Sequence, residues 1–393
     1  MENKETDICI VGAGPAGLLV AKLLLDKGYK VILLDKQKDF NKEFRGEYIQ
    51  PGVVNILKQL NMFESLEPYS ITITNYRILD HGKVVFKYDF DGNYGICIRQ
   101  SLVLPLMLKE CEKHDQFSSC LGQTAFELIK KDDKVVGIKT KGDYGDFDIR
   151  AKLVIGSDGR NSIINKLLHV PINKKQFLTD ILWINIECPK NFGNKIDIRI
   201  YDEGYVVLDP AFPNQIRMGI SIKKGGIGEL RKKYPDIKEF TAHIVKVVPE
   251  AQAEIISAVT AWSSFTPLSV SGMVSEKWSA DGVVLIGDAA HTVGPFGGQG
   301  INQAMKDAII LARIISQSSH SEFAEDKILD QLRELRYSEV ASVHEFQLAQ
   351  GRLLEMKGLL GRVIRRIIYH RITRNRKSGN NILSKLTFKD LTL

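Results

Sequence analysis

No apolar run in this chain approaches the ~20 residues that a helix needs to cross a bilayer. The most apolar stretches are broken by Lys22, Asp26 and Asp35. The opening residues, MENKETD, lack the basic start and apolar core of a secretory leader. Cysteine is scarce: Cys9, Cys97, Cys111, Cys120 and Cys188 are an odd number with no CxxC pair. That excludes a disulfide framework and a zinc site, and it points to a reducing compartment. Internal repeats and low-complexity linkers are missing too. Basic residues are not interleaved with aromatics, so no nucleic-acid partner is expected. The expectation is a cytoplasmic protein.

What is present is an ordinary globular mixture. Apolar residues make up 44% and charged residues 26% of 393, which excludes disorder and leaves room for more than one domain. The net charge of +7 is unevenly spread. Residues 350–393 hold 11 Lys+Arg against 2 Asp+Glu, a net of +9, which leaves the preceding 349 residues at −2. Any affinity for anionic surfaces therefore belongs to the tail.

Residues 7–11 and 30–35 read as strands buried on both faces, with a helix over 15–27 between them, a βαβ unit. Residues 70–99 alternate apolar with polar, as antiparallel strands with one covered face do. Residues 101–114 read as a helix, 133–155 as strands, and 178–222 as a second strand-rich stretch. A helix near 236–247, a strand near 254–268, a buried strand over 283–288 and a long helix from about 300 follow. The expected fold class is α/β, a parallel-sheet domain interrupted twice by an antiparallel one.

Three motifs carry chemistry. Gly12-Ala13-Gly14-Pro15-Ala16-Gly17 follows a strand and opens a helix, and Asp35 closes the next strand. Gly12 permits a tight turn, Gly14 lets a pyrophosphate approach the backbone, and Gly17 lets the helix pack closely. The helix N-terminus supplies free N–H groups, and Asp35 can accept hydrogen bonds from a ribose. The second motif, from Leu153 to Ser162, runs a strand into Asp158-Gly159; by itself it is a strand-turn-helix connection with Ser162 in the first helical turn. The third runs through Gly287-Asp288, Pro295 and Gly297-Gly298-Gln299-Gly300-Ile301-Asn302. Its carboxylate falls at the carboxyl edge of a sheet, and its glycines leave N–H groups exposed at a helix start.

The three motifs, in this order and at this spacing, resemble the flavin-dependent aromatic hydroxylases (class A flavoprotein monooxygenases), which include ubiquinone-biosynthesis and alkylquinolone hydroxylases. The resemblance covers roughly residues 5–345. It implies a GxGxxG-type FAD-binding domain with a parallel sheet over 1–69, 100–177 and 276–345. It implies an antiparallel substrate domain over 70–99 and 178–275, and the residues 346–393 then form a basic helical segment. FAD would be the cofactor and NAD(P)H a transient co-substrate. By resemblance Gly12, Gly14, Pro15, Ala16 and Gly17 hold the FAD pyrophosphate, and Asp35 with Lys36 the adenosine ribose region. Arg45, Gly46 and Arg99 lie beside the cofactor, and Asp158 supports it. Gly287-Asp288 binds the ribityl chain. Gly298, Gly300, Ile301 and Asn302 line the pyrimidine edge of the flavin, and Pro295 lines the oxygen-reacting face. Asp35 replaces the more usual Glu, and Asn165 stands where arginine is common.

The implied reaction is hydroxylation of an aromatic or quinone-like molecule with O₂ through a flavin C4a-hydroperoxide, with no protein side chain as catalyst. The alternatives on the same scaffold are a reductase of isoprenoid double bonds and a halogenase. The halogenase WxWxIP segment is absent, and Tyr205 to Pro210 is a distant echo of the reductase YxWxFP stretch. His291 reads as a cap or packing residue. Trp183, Tyr201, Tyr205, Phe212 and Trp262 are candidates for an aromatic pocket wall. The substrate would be a small aromatic or lipophilic molecule and the protein a monomer or dimer. In 351–377, Met356, Leu360, Val363, Ile364 and Ile367 share one helical face, with Arg352, Arg362, Arg365 and Arg366 on the other side. The apolar face is expected to dock on the protein with the arginines in water; peripheral contact with an anionic membrane is the competing reading.

Overall fold

The computed structural model describes residues 4–41, 47–374, 387–388 and 391–392. Lys4–Val11 lies at the centre of an eight-stranded sheet, between Val31–Asp35 and Phe147–Gly156, all parallel. Val283–Leu285 and Phe117–Leu121 extend the sheet in parallel on either flank. Helix Pro15–Leu25 packs against Gln299–Gln317 and Gln100–Glu112. The chain leaves the first strand in one direction toward Val31–Asp35 and returns on the other side as Phe147–Gly156. A crevice therefore opens at the carboxyl ends of the first strand and Phe147–Gly156, where α/β sheets bind ligands.

A seven-stranded sheet joins strands from two distant stretches. Its order is Thr266–Leu268, Thr179–Glu187, Gln215–Lys223, Gly204–Ala211, Lys195–Tyr201, Asn75–Asp80 and Lys83–Asp89. Lys195–Tyr201 pairs in parallel with Asn75–Asp80, so the sheet is mixed where alternation alone implied antiparallel pairing throughout. Side chains alternate between its faces. Leu182, Ile184 and Ile186 pack against Phe240, Ile244 and Ile255 of the helices Ile237–Val247 and Gln252–Ala258. Ile181 and Trp183 face the opposite way, with Ile198, Tyr205 and Phe296.

Three expectations change. Residues 252–258 are helical, and only Thr266–Leu268 of the expected 254–268 strand is extended, because Ile255 buries a helix face against the sheet. Phe117–Leu121 and Gln123–Lys131 are strands that the sequence pattern left unread. In 283–288 the strand ends at Leu285, and Gly287–Ala289 forms a 3₁₀ turn, since Gly287 takes a left-handed φ of 58°.

The C-terminal helix Gly358–Arg374 docks through a face rotated from the one expected: Arg365 and Tyr369 turn inward, and of the expected stripe Ile364 packs against the core. Arg365 is 1% exposed: its Nε donates to Asp80 Oδ2 at 2.7 Å and its Nη2 to Asp80 Oδ1 at 3.2 Å. Arg365 also donates to the Met356 carbonyl, satisfying backbone at the turn after helix Asp326–Leu354. Tyr369 packs on Phe86, 5.7 Å between ring centroids. Leu359 at 77%, Leu360 at 72%, and Val363 and Ile367 at 47% are left facing outward. A bidentate partner for the guanidinium and the aromatic contact outweigh the aliphatic stripe.

Asp307, fully buried on Gln299–Gln317, ties this architecture to the third motif. Its Oδ2 accepts from the Gly287 N–H at 2.9 Å and contacts His291 Nε2 at 2.7 Å. Its Oδ1 accepts from Arg336 Nε at 2.7 Å. Burial opposes ionisation, but the facing His291 and Arg336 hold its carboxyl well below the ordinary range. A carboxyl depressed in the folded state adds stability above its unfolded pKa of about 3.9, lost as the pH falls toward the folded value. Asp307→Asn should therefore destabilise the protein by roughly 3 kcal/mol at pH 7, as expected when a buried ion pair loses one partner. In urea unfolding, the gap between wild type and variant should narrow as the pH drops below about 4. A gap that stays constant down to acid pH would contradict this assignment.

Candidate cofactor and active site

The first strand ends at Gly12, whose φ is 111°. A Cβ there would lie 2.4 Å from the Ser157 carbonyl oxygen, and one at Gly17 would lie 2.0 Å from the Gly12 carbonyl oxygen. These two glycines let the turn, the helix and the neighbouring strand end touch. Ser157 Oγ locks the contact by donating to the carbonyls of Val11 at 3.0 Å and Gly12 at 2.8 Å. Gly14 is different: nothing lies within 4 Å of its would-be Cβ. It is the N-cap of Pro15–Leu25, with an extended backbone and no side-chain cap. The first-turn amides therefore open onto the cleft.

A second helix start faces the same cleft. Gly298, with φ 59°, precedes Gln299–Gln317, again without a side-chain cap, and neither helix has an acidic residue in its first turn. A Cβ on Gly298 would meet Tyr48 at 2.8 Å, whereas Gly300 is open. Two uncapped N-termini thus direct partial positive charge into one crevice. That arrangement fits a cofactor with a pyrophosphate at one end and an electron-accepting ring edge at the other, as FAD has.

The cleft is lined by Gly14, Pro15, Ala16, Asp35, Lys36, Asp158, Asp288, Pro295, Gly298, Gly300 and Ile301 among the expected residues. Asp35 already accepts from the N–H groups of Ala13 and Gln37, each at 2.8 Å, so it also braces the glycine turn. Asp158 accepts from Ser162 Oγ and the Ile163 N–H and so anchors the short helix Ile163–Leu167. Burial pushes its carboxyl up, with those hydrogen bonds pulling the other way. Asp288 Oδ2 is 3.2 Å from Arg160 Nε.

Other expected residues stand behind the surface. Gly12 and Gly17 make backbone contacts, and Gly287 lets Gln299–Gln317 approach: its would-be Cβ lies 3.0 Å from Ala304 Cβ. Asn302 is not among the residues that line the cleft, and its side-chain amide is consumed by the chain. It donates to the carbonyls of Tyr48 at 2.9 Å and Gly298 at 2.7 Å and accepts from the Gln50 N–H at 2.8 Å. Arg99 turns away toward Gln215, leaving Gln100 and Leu104 at the cleft. Arg45 and Gly46 lie outside the described residues. Asn165 bonds Ser275 and the Ala289 carbonyl, a structural link. His291 is 1% exposed and packed on Trp278.

Beyond Pro295 the cleft continues onto the seven-stranded sheet. Trp183 and Tyr205 line it, with Tyr76, Ile181, Ile198 and Phe296. Tyr201, Phe212 and Trp262 do not; Trp262 stacks on Phe240 at 5.0 Å. Tyr48 also lines this end, and so do Asp209 and Arg217, which sequence reasoning missed. The available signal was a charge inside an apolar strand, in GYVVLDPA and QIRMGISIK. Among the described residues no cluster suits a metal ion, and no helix is long and apolar enough to cross a membrane.

Comparison with known proteins agrees with this geometry. Residues 5–347 match the FAD binding domain family model. The chain belongs to that family. It is 27% identical to 6-methylpretetramide 4-monooxygenase of Streptomyces rimosus, covering 100% of this chain and 94% of that protein. It is 25% identical to a digeranylgeranylglycerophospholipid reductase of Methanosarcina acetivorans, covering 85% and 80%. The structure of p-nitrophenol 4-monooxygenase from Pseudomonas putida superimposes with a TM-score of 0.80 at 19% identity over 98% of this chain and 99% of that one.

The two kinds of glycine should separate on mutation. Gly14→Val places a side chain in open space on an extended backbone, so the fold should survive while bound flavin is lost. Gly17→Val collides with the backbone and should lower the melting temperature steeply. Flavin content of the purified variants and their thermal melts check this; a Gly14→Val protein that retains flavin would count against the cradle.

Proposed function

We propose that this protein is an FAD-dependent monooxygenase that hydroxylates an aromatic or quinone-like small molecule with NAD(P)H and O₂. The carrying observation is one continuous cleft. It runs from Asp35 past the Gly298 helix start to Trp183 and Tyr205. In this reading the amides after Gly14 hold the pyrophosphate, and Asp35 and Lys36 hold the adenosine ribose region. Asp288 holds the ribityl hydroxyls, and the Gly298–Ile301 amides hold the ring edge. Asp158 supports the cofactor through the turn it anchors. Gly12, Gly17, Gly287 and Asn302 shape the cradle from behind. Bound FAD supplies hydride acceptance from NAD(P)H and activation of O₂.

The chain's own work is placement and dryness. Pro295 and Phe296 bring the glycine loop against the aromatic wall, and Ile181, Ile198 and Leu268 exclude water from the ring. The polypeptide divides in this reading into a cofactor region over 1–69, 100–177 and 276–345 and a substrate region over 70–99 and 178–275. Purified protein should carry flavin. Anaerobic NAD(P)H should bleach its visible band and O₂ should restore it, faster with the true ring among phenols, quinolones and quinones. Oxygen uptake matched to a hydroxylated product supports the reading. A saturated isoprenoid product without oxygen uptake would establish the reductase alternative instead.

We also propose peripheral contact with an anionic membrane through the outward face of Gly358–Arg374. What supports it is the pairing of an exposed aliphatic stripe with one sign of charge. Leu359, Leu360, Val363 and Ile367 point outward beside exposed Arg366, Arg371 and Arg374, and the helix has no acidic residue. Those three arginines make no ion pair among the described residues. Wild-type protein should float with phosphatidylglycerol vesicles and not with phosphatidylcholine ones. Val363→Glu with Arg366→Glu should abolish flotation while flavin content is kept. Equal flotation of wild type and variant would remove the idea.

A further inference from the structure

The sheet face that walls the cleft is built in rows running across the strands, because residues level with one another on neighbouring strands share a face. Trp183, Gly219, Val207 and Ile198 form one such row. Trp183 lies flat in it because a Cβ on Gly219 would fall 2.6 Å from the indole. The next row lies two positions along each strand. There Arg217 pairs with Asp209 and Ile196 with Tyr76. Asp209 follows the Leu208–Asp197 pair, so it falls level with Ile196. Asp209, Ile196 and Tyr76 therefore stand side by side, with about 10 Å between the outer two backbones. All three line the cleft. The first row is apolar along its length, whereas this one sets a polar group on either side of Ile196.

Both polar groups keep an atom unused. Asp209 Oδ2 accepts from Arg217 Nη2 at 2.9 Å, while its Oδ1 accepts no hydrogen bond among the described residues. The hydroxyl of half-buried Tyr76 has no hydrogen bond among them either. Neither atom is shut away from the cleft as the Tyr48 hydroxyl is. Tyr205, another phenol on this wall, is already paired with Thr179 at 3.3 Å. Burial, and after it the charge of Asp209, push the Tyr76 phenol well up, so at neutral pH its proton stays in place to be donated. Asp209 Oδ1 and the Tyr76 hydroxyl are thus an acceptor and a donor on one row of the wall. An ether or carbonyl oxygen can use only the donor. A ring hydroxyl can use both.

We propose that Asp209 and Tyr76 are specificity-determining residues that read a hydroxyl group on the substrate ring, Asp209 Oδ1 accepting from its O–H and Tyr76 donating to its oxygen. The proposal rests on the reading of this cleft as a substrate site, and its test separates the two. Purified wild type, Asp209→Asn and Tyr76→Phe are compared by equilibrium dialysis against 2-naphthol, 2-methoxynaphthalene and naphthalene, with the flavin band recorded on each sample. Wild type should bind 2-naphthol about tenfold more tightly than its methyl ether, and the ether about fivefold more tightly than naphthalene. The Arg217 guanidinium offers only donors, so in Asp209→Asn it holds the amide oxygen and turns the amide N–H₂ toward the cleft. The preference for 2-naphthol over the ether should then vanish, while the ether keeps its advantage over naphthalene. Tyr76→Phe should do the reverse: the ether loses its advantage over naphthalene, and 2-naphthol stays ahead of the ether to within about twofold of the wild-type ratio. An unchanged preference for 2-naphthol over the ether in Asp209→Asn overturns the role of Asp209. An unchanged preference for the ether over naphthalene in Tyr76→Phe overturns that of Tyr76, and a wild type that binds all three probes alike overturns both. Absence of the flavin band from all three proteins would instead strike the functional reading, independently of the probe ratios.

Discussion

The stretch from Gly287 to Gly298 lies largely out of water and has little regular secondary structure, so its backbone needs partners from elsewhere. Side chains on two long helices provide them. Asp307 takes the Gly287 N–H. Gln347 pairs with both the N–H and the carbonyl of Gly294, and also with the Phe296 carbonyl. His344 lies 2.8 Å from the Thr292 carbonyl, and Asn302 closes on Gly298. Losing any one would strand a buried backbone group at about 1–3 kcal/mol. The loop that separates the cofactor end from the aromatic end is thus held by side chains that never reach the cleft surface. This is the support a precise site requires.

Two buried arginines do for the helices what these amides do for the loop. Arg336 binds Asp307, and Arg365 binds Asp80 on the seven-stranded sheet. Buried ion pairs seldom beat well-packed apolar groups for stability, but they permit only one arrangement. For Gly358–Arg374 that arrangement is a rotation. With Arg365 inward, Ile364 and Ile368 are drawn into the core that includes Trp183 and Tyr205. The aliphatic residues about half a turn away are then carried to the surface. A hydrophobic-moment argument weighs those residues by their own polarity and cannot register that one guanidinium has a carboxylate waiting 285 positions earlier.

Legibility in the sequence followed the range of the interactions. The glycine turn, its flanking strands, the Asp-Gly turn and the late glycine loop were readable because their causes are local. Gly12 and Gly17 are required by contacts within a few residues or across one strand pair. The flavin-hydroxylase resemblance was sound for the same reason, since it rests on those turns. What escaped depended on distant partners. The side-chain amide of Asn302 is taken up by Tyr48 and Gln50, both about 250 positions earlier in the chain. Arg99 points to Gln215, 116 residues away. The segment 254–258 contains two isoleucines and reads as extended, but a sheet face awaiting cover makes it a helix.

Strand register is the last link between the sheet and the chemistry. Along Thr179–Glu187 the odd positions Ile181 and Trp183 face the cleft, and the even positions Leu182, Ile184 and Ile186 face the covering helices. Both sets are apolar, so hydrophobicity alone would tolerate a one-residue slip that exchanges them. The pairing of Trp183 with Gly219 removes that tolerance. A slip would bring Trp183 opposite Met218 or Ile220, whose side chains cannot admit an indole lying flat on the strand. It would also break the stacking of Arg217 on that indole. A single glycine opposite a single tryptophan therefore decides which face of an all-apolar strand becomes the wall of the active site.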